Sequence, residues 1–272
     1  MCVWSKVSRS GYYEWLSRPA SATMSRRFWL AVQVKKVFKA SNGVYGYRKV
    51  HAELRRLRIE IGPELVRRLM ADLGLVSCHP RPWRMTTIQG EGSGPVDLLG
   101  RDFTAPAPGQ RFVGDITCIP TWEGWVYLAT VIDLCSREVV GWAMADHMRA
   151  SLVCDAISMA HHRRPITVGA IFHSDRGCQY TSGELLAHLK ALNMVGSMGR
   201  TGVCWDNALA ESFFASLKKE LVHRTVFSAR KKVYVTVADY IDVFYNGQRI
   251  HAALGYRTPR EVFNDYQAPE AA

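Results

Sequence analysis

A chain of 272 residues, 48% of them hydrophobic, can bury one sizeable core plus a smaller domain, which excludes a disordered polypeptide. No apolar run approaches the roughly 18 residues of a membrane span, and the opening MCVWSKVSRSGYYEW has no signal-peptide core, so a cytoplasmic protein without a membrane partner is expected. The net charge of +11 is uneven: residues 1–90 carry 17 Lys and Arg against 5 Asp and Glu, the remainder 18 against 19, and such asymmetry points to a polyanion, most simply nucleic acid.

Residues 1–80 read as a basic helical domain. Met24 to Ala40 mixes apolar residues with Lys and Arg, and Tyr47 to Arg58 spaces Val50, Leu54 and Leu57 at helical intervals. Pro63 suits the first turn of a further helix, Glu64 to Leu73, with Leu65, Leu69 and Leu73 on one face, Arg67 and Arg68 towards the other, and Gly74 as its stop. Two short helices around a tight turn suggest a helix-turn-helix, with Arg67 and Arg68 as phosphate contacts; an αα-hairpin has the same signature. Five prolines and five glycines between Cys78 and Gln110 mark an interdomain linker, on which Trp83 is a possible anchor.

From Arg111 the pattern turns to strands. Phe112 to Pro120, Trp125 to Leu134 and Glu138 to Met144 suggest an antiparallel meander, with Trp122, Trp125 and Trp142 as core or sheet-face residues. A helix (Ala150 to His162), a strand (Val168 to Phe172), a helix (Ser182 to Asn193) and a short run (Met194 to Met198) follow. Together they predict an α/β fold with a mixed sheet flanked by helices, preceded by the small all-helical domain. Beyond the turn GRTGVC, Asp206 can cap a helix whose body, Ala208 to Leu221, buries Leu209, Phe213, Phe214 and Leu217. A helix from about Lys231 to Tyr245 comes next. Thr258-Pro259-Arg260-Glu261 then has capping-box spacing for a last one.

Three carboxylates carry the chemistry. Asp175 follows a strand-like run directly, where open α/β sheets place ligand-handling residues, and Gly177 allows a tight backbone there. Asp115 lies in an earlier strand, and Glu211 in the helix after the polar turn. Oxygen ligands from separate elements suit magnesium, and a pair of such ions can drive phosphodiester chemistry. Lys218 and Asn207 share the face of Glu211, at seven residues after it and four before. A lysine there can hold a DNA phosphate. Asp133 reads as a turn cap, His173 as structural, and Arg249 and His251 as partners of a helix end. Seven scattered cysteines without a C-x-x-C pair argue against disulfides or a zinc knuckle.

HSDRGCQY, CWDNALAESFFASLKKE and FVGDIT resemble the catalytic core of retroviral-integrase-like transposases, closest to the insertion-sequence group encoded in two overlapping frames. Thirty-five residues separate Asp175 from Glu211, the spacing that names the Asp-Asp-35-Glu superfamily. YNGQRIHAALGYRTPREVF and VYGYRKVHAEL are similar to the group's terminal segments. The resemblance implies a ribonuclease-H-like fold, two Mg2+ (or Mn2+) ions on Asp115, Asp175 and Glu211, and DNA cleavage followed by strand transfer. It also implies a homo-oligomer on nucleoid DNA and fusion to an upstream-frame helix-turn-helix product. The expected organisation is a DNA-binding domain at 1–80, a linker at 81–107, an integrase-type core with C-terminal helices at 108–265, and a tail at 266–272. The alternative is a DNA-binding regulator, or an inactive relic lacking its upstream partner.

Overall fold

Apolar spacing of 3.6 in the first third and 2 in the middle sorts the chain into two kinds of structure. The computed structural model describes residues 4, 7–78, 97–100, 102–199 and 207–267. Two compact units emerge, Met1–Cys78 and His79–Ala272. Most of the predicted linker with Trp83, the turn after Gly199, Asp206 and the tail beyond residue 267 lie outside the described residues.

The first unit holds α1 (Arg9–Ser17), α2 (Ala22–Ala40), α3 (Tyr47–Arg56) and α4 (Pro63–Asp72). Ser21 caps α2 by accepting from the Met24 amide, and Pro63 opens α4 at a position that needs no donor. Leu30, Val34, Val50, Leu54, Val66 and Leu69 form the core. Two expectations shift by one or two residues. Helix α3 stops before Leu57 because Arg58 takes a left-handed conformation (φ 59°), which leaves Leu57 exposed. Helix α4 buries Val66, Leu69 and Met70, and Leu73 is partly exposed.

In the second unit β1 (Arg111–Thr121), β2 (Gly124–Asp133) and β3 (Val139–Ala145) form the predicted meander. Strands β4 (Ile171–Ser174) and β5 (Val195–Met198) pair parallel, β4 against β1 and β5 against β4. The sheet order is β3-β2-β1-β4-β5. Helices α5 (Ala150–Arg163) and α6 (Gly183–Ala191) connect its parts, and α7 (Ala208–Glu220), α8 (Arg230–Asp239, continuing as a π-helical turn to Tyr245) and α9 (Pro259–Gln267) complete the unit. Thr258 and Glu261 exchange the reciprocal bonds of a capping box.

Strand β4 starts three residues later than Val168, because Gly169 (φ 81°) turns the chain and leaves Val168 exposed. It also runs on through His173, whose Nδ1 pairs with Ser197 Oγ of β5 at 2.9 Å. Trp122 and Trp125 sit exposed at the β1–β2 hairpin rather than in the core. Only Trp142 is part-buried, its Nε1 donating to Asp242. The part of the presumed linker that is described, 97–100 and 102–107, is fastened to this unit: Leu99 is buried and the Leu98 amide donates to Ser197 Oγ.

Helix α5 lies so close to β3 that a Cβ at Gly141 would stand 2.1 Å from the Ala156 carbonyl oxygen. Gly141→Ala is therefore expected to destabilise the chain by at least about 1–3 kcal/mol through overpacking. Gly183→Ala, at the open first turn of α6 with no atom near the added methyl, is expected to be neutral or stabilising by up to about 1 kcal/mol. Denaturant unfolding of the two variants side by side checks the opposite signs.

Candidate active site

Register alone brings the two aspartates together. Strand β1 pairs with β4 as Arg111↔Ile171, Phe112↔Phe172 and Val113↔His173, a constant offset of sixty. Continued past Ser174, where β4 ends, the same offset carries Asp175 to the neighbourhood of Asp115, close enough for the charge of one to act on the other. Gly114 makes this approach feasible, since a Cβ there would stand 2.2 Å from the Phe172 ring. The Asp175 loop is tight. Asp175 Oδ1 accepts from the Gly177 amide at 3.0 Å, and a Cβ at Gly177 would meet that oxygen at 3.1 Å.

Helix α7 buries Ala210, Phe213, Phe214 and Leu217, a spacing of three and four that presses one face into the fold. Glu211 and Lys218 fall outside that stripe. Asn207 stands at the helix N-cap, but its side chain does not cap. Its Nδ2 donates to the Gly114 carbonyl at 3.2 Å, next to Asp115. This buried amide ties the start of α7 to β1, one helical turn before Glu211, and it is turned into the fold rather than towards the solvent where DNA would run. Its Oδ1 is buried without a hydrogen-bond partner.

The three carboxylates feel one another. Burial, then the charge of Asp175, pushes the Asp115 carboxyl up from 3.8 to about 7; Glu211 adds to the rise, while the Ile116 amide and the Lys218 ammonium oppose it. Glu211 is also raised, by desolvation and by Asp175. The phenol of Tyr180, fully buried and without a hydrogen-bond partner, is held high by burial and then by Asp115 and Asp175. Sequence reading passed Tyr180 by; its one signal was its place five residues after Asp175. Among the described residues, no three His, Cys, Asp or Glu side chains are gathered as a ready-made metal cage. The donors are nevertheless of the kind a hard dication takes: three carboxylates, with the Ile116 amide and Lys218 offsetting part of the charge around Asp115.

Four further residues singled out from sequence have partners of their own. Asp133 caps its turn, accepting from the amides of Cys135, Ser136 and Gly109. Arg249 does not serve a helix end. It is nearly buried and grips Glu220 of α7, with Nη2 2.6 Å from Oε1, while the Tyr240 hydroxyl donates to Oε2 at 2.7 Å. Arg67 and Arg68 are exposed on α4 in the first unit, and both donate to Glu64.

A five-stranded mixed sheet in this order, flanked by helices and following a helical unit, defines a ribonuclease-H-like protein with an attached helix-turn-helix-like domain. Comparison with known proteins narrows that class. An integrase core domain model matches residues 105–204, a second matches 193–259, and an HTH-like domain matches 26–83. Transposase InsF for insertion sequence IS3A of Escherichia coli (strain K12) is 39% identical over 268 residues, 97% of this chain and 93% of its own length. An uncharacterized 31 kDa protein of insertion element IS600 from Shigella sonnei is 35% identical over 98% of both chains. A chain of the simian T-cell lymphotropic virus intasome superposes with a TM-score of 0.49 at 15% identity, over 84% of this chain and 76% of that one. The chain belongs to the IS3-type insertion-sequence transposases, an integrase-core family of DNA transposition.

The raised Asp115 has a thermodynamic consequence with a fixed sign. Between pH 4 and 7 the folded chain keeps a proton that the unfolded chain releases, so stability falls as pH rises through that window and levels off above it. In chelating buffer, Asp115→Asn is expected to gain on the parent chain by at most about 1.4 kcal/mol per pH unit across this range, with no further gain above pH 7. Urea unfolding at pH 4.5, 6, 7 and 8 measures it; a pH-independent difference would remove the basis for the coupling.

Proposed function

We propose that the second unit cuts DNA at the ends of a mobile element and joins the freed end to a target, with Asp115, Asp175 and Glu211 as its catalytic carboxylates. The observation that carries this reading is the electrostatic coupling of three acids from β1, the loop after β4 and α7, with a lysine on the same helix in range. The reaction class is phosphodiester hydrolysis that releases a 3′-hydroxyl, followed by attack of that hydroxyl on a second phosphodiester. Two Mg2+ or Mn2+ ions, when bound by these carboxylates, supply activation of the attacking oxygen and stabilisation of the leaving one. Asp115 presents its oxygens from a paired strand, Asp175 from the tight loop after β4, and Glu211 closes the set from a helix anchored beside Asp115. Lys218, seven residues after Glu211, meets a DNA phosphate at the rim.

The first unit, with its excess of positive charge, holds the duplex in this reading. Arg67 and Arg68 exchange their shared Glu64 for phosphate, which makes affinity fall steeply with salt. Catalysis runs in a homo-oligomer on nucleoid DNA in the cytoplasm, and full activity requires fusion to the upstream-frame helix-turn-helix segment.

Glu211→Gln, assayed alone and in that fusion on element-end DNA with magnesium, is expected to lose cleavage and joining by roughly a thousandfold or more, about 4 kcal/mol of transition-state stabilisation. DNA affinity is expected to stay near the parent value. Cleavage that survives the substitution removes Glu211 from the catalytic set. Inactivity of the parent chain in both forms favours a DNA-binding regulator or relic, and cutting without joining of a pre-cut 3′-hydroxyl end favours a plain nuclease.

A further inference from the structure

We propose that α1 is an exchange arm: two copies of this chain dock their α1 helices reciprocally, each into an apolar groove between α2 and α4 of the other copy.

The helix itself needs a cover. None of its nine residues is buried, and Tyr12, Tyr13, Trp15 and Leu16 are 41%, 65%, 68% and 61% exposed. Its bonds are local: Ser8 caps it through the Gly11 amide, Ser17 bonds back to Tyr13, and Glu14 pairs with Arg18. An isolated helix shorter than about 12–15 residues is marginal in water, and four large apolar side chains in solvent add nothing to hold it.

A receptor of matching kind lies in the same unit. Met24, Phe28 and Ala31 of α2, Leu69 of α4 and Leu73 just after it line an open groove of about 500 Å3, bridged by the Arg27–Asp72 ion pair at 3.0 Å. Phe28 and Met24 are more than half exposed there. The groove runs from Ser21 to Ala31, ten residues or about 15 Å of helix, and α1 is about 14 Å long at 1.5 Å per residue. Arm and groove therefore agree in length and in apolar character.

The linker decides which copy supplies the arm. Only Arg18 to Ser21 separate α1 from α2, and Pro19 forces Arg18 into extended backbone (φ −63°, ψ 124°). Ser21, extended as the cap of α2 (φ −62°, ψ 155°), is itself on the groove rim. In this structure α1 does not turn back over its own α2: none of its residues lines the groove and none is buried. An arm that leaves the rim outwards instead reaches the equivalent groove of a second copy, the arrangement of a swapped dimer. The chain carries both halves of the junction, so a symmetric pair satisfies both grooves and both arms at once.

Sedimentation equilibrium of the full chain without DNA tests this. The parent chain is expected to dimerise, and Trp15→Glu on the arm and Leu73→Glu in the groove are each expected to raise the dimer Kd by roughly thirtyfold or more, the size of an interface hot spot. Both positions are exposed, so the thermal midpoints should stay close to that of the parent. The diagnostic arm is a mixture: Trp15→Glu keeps an intact groove and Leu73→Glu an intact arm, so together they should recover a heterodimer with one good junction, tighter than either variant alone. A monomeric parent, a dimer indifferent to both substitutions, or a mixture no tighter than its components would each overturn the exchange. Nuclease inactivity would not, because the test never reads catalysis.

Discussion

Asp115 and Asp175 stand sixty positions apart in the chain, and the parallel pairing of β1 with β4 cancels that distance. Everything at the site inherits from this one register. A slip of a single residue would turn one aspartate to the opposite face of the sheet, so the pairing must be held from both sides. The Phe172 ring fills the space above Gly114, and His173 locks β4 to β5 through Ser197. The side chains that fix the register therefore lie within three residues of Asp175.

The third acid is brought in by a different device. Helix α7 is tied at its start by Asn207 to the Gly114 carbonyl and at its end by Glu220 to Arg249. Both ties are buried, one neutral and one ionic. The ionic one works only because Glu220 has its full complement of donors, from Arg249 and the Tyr240 hydroxyl. Removing one partner of such a pair leaves a buried charge, which costs about 3–5 kcal/mol. The C-terminal segment thus does more than cover the sheet: it supplies the cation that anchors the helix carrying Glu211 and Lys218.

Much of this was readable in the chain because alternation and helical spacing are local signals. The strands of the meander, the two later helix–strand pairs and the capping box at Thr258 all announce themselves in local stretches of sequence. What escaped was non-local. Val168 reads as strand because it is apolar, yet Gly169 turns the backbone first. Trp122 and Trp125 read as core or sheet-face residues by type, and only the position of the hairpin tip leaves them in solvent. Arg249 and Asn207 look like surface polar groups until their partners, 29 and 93 residues away, are known. Periodicity carries no information about such pairs.

The carboxylate cluster shows why those ties are needed. Three like charges in a partly desolvated place oppose folding, as the rise of Asp115 to about 7 registers. A scaffold held by weak local contacts would relieve that repulsion by letting α7 swing away. Here the relief is blocked: Asn207 and Arg249 fix both ends of the helix, and the Phe213–Phe214–Leu217 stripe fixes its roll. Lys218 offsets part of the repulsion, and in the function proposed here the rest is what a bound cation would neutralise. Rigidity bought at two buried polar ties is thus what keeps the acids together before anything binds them.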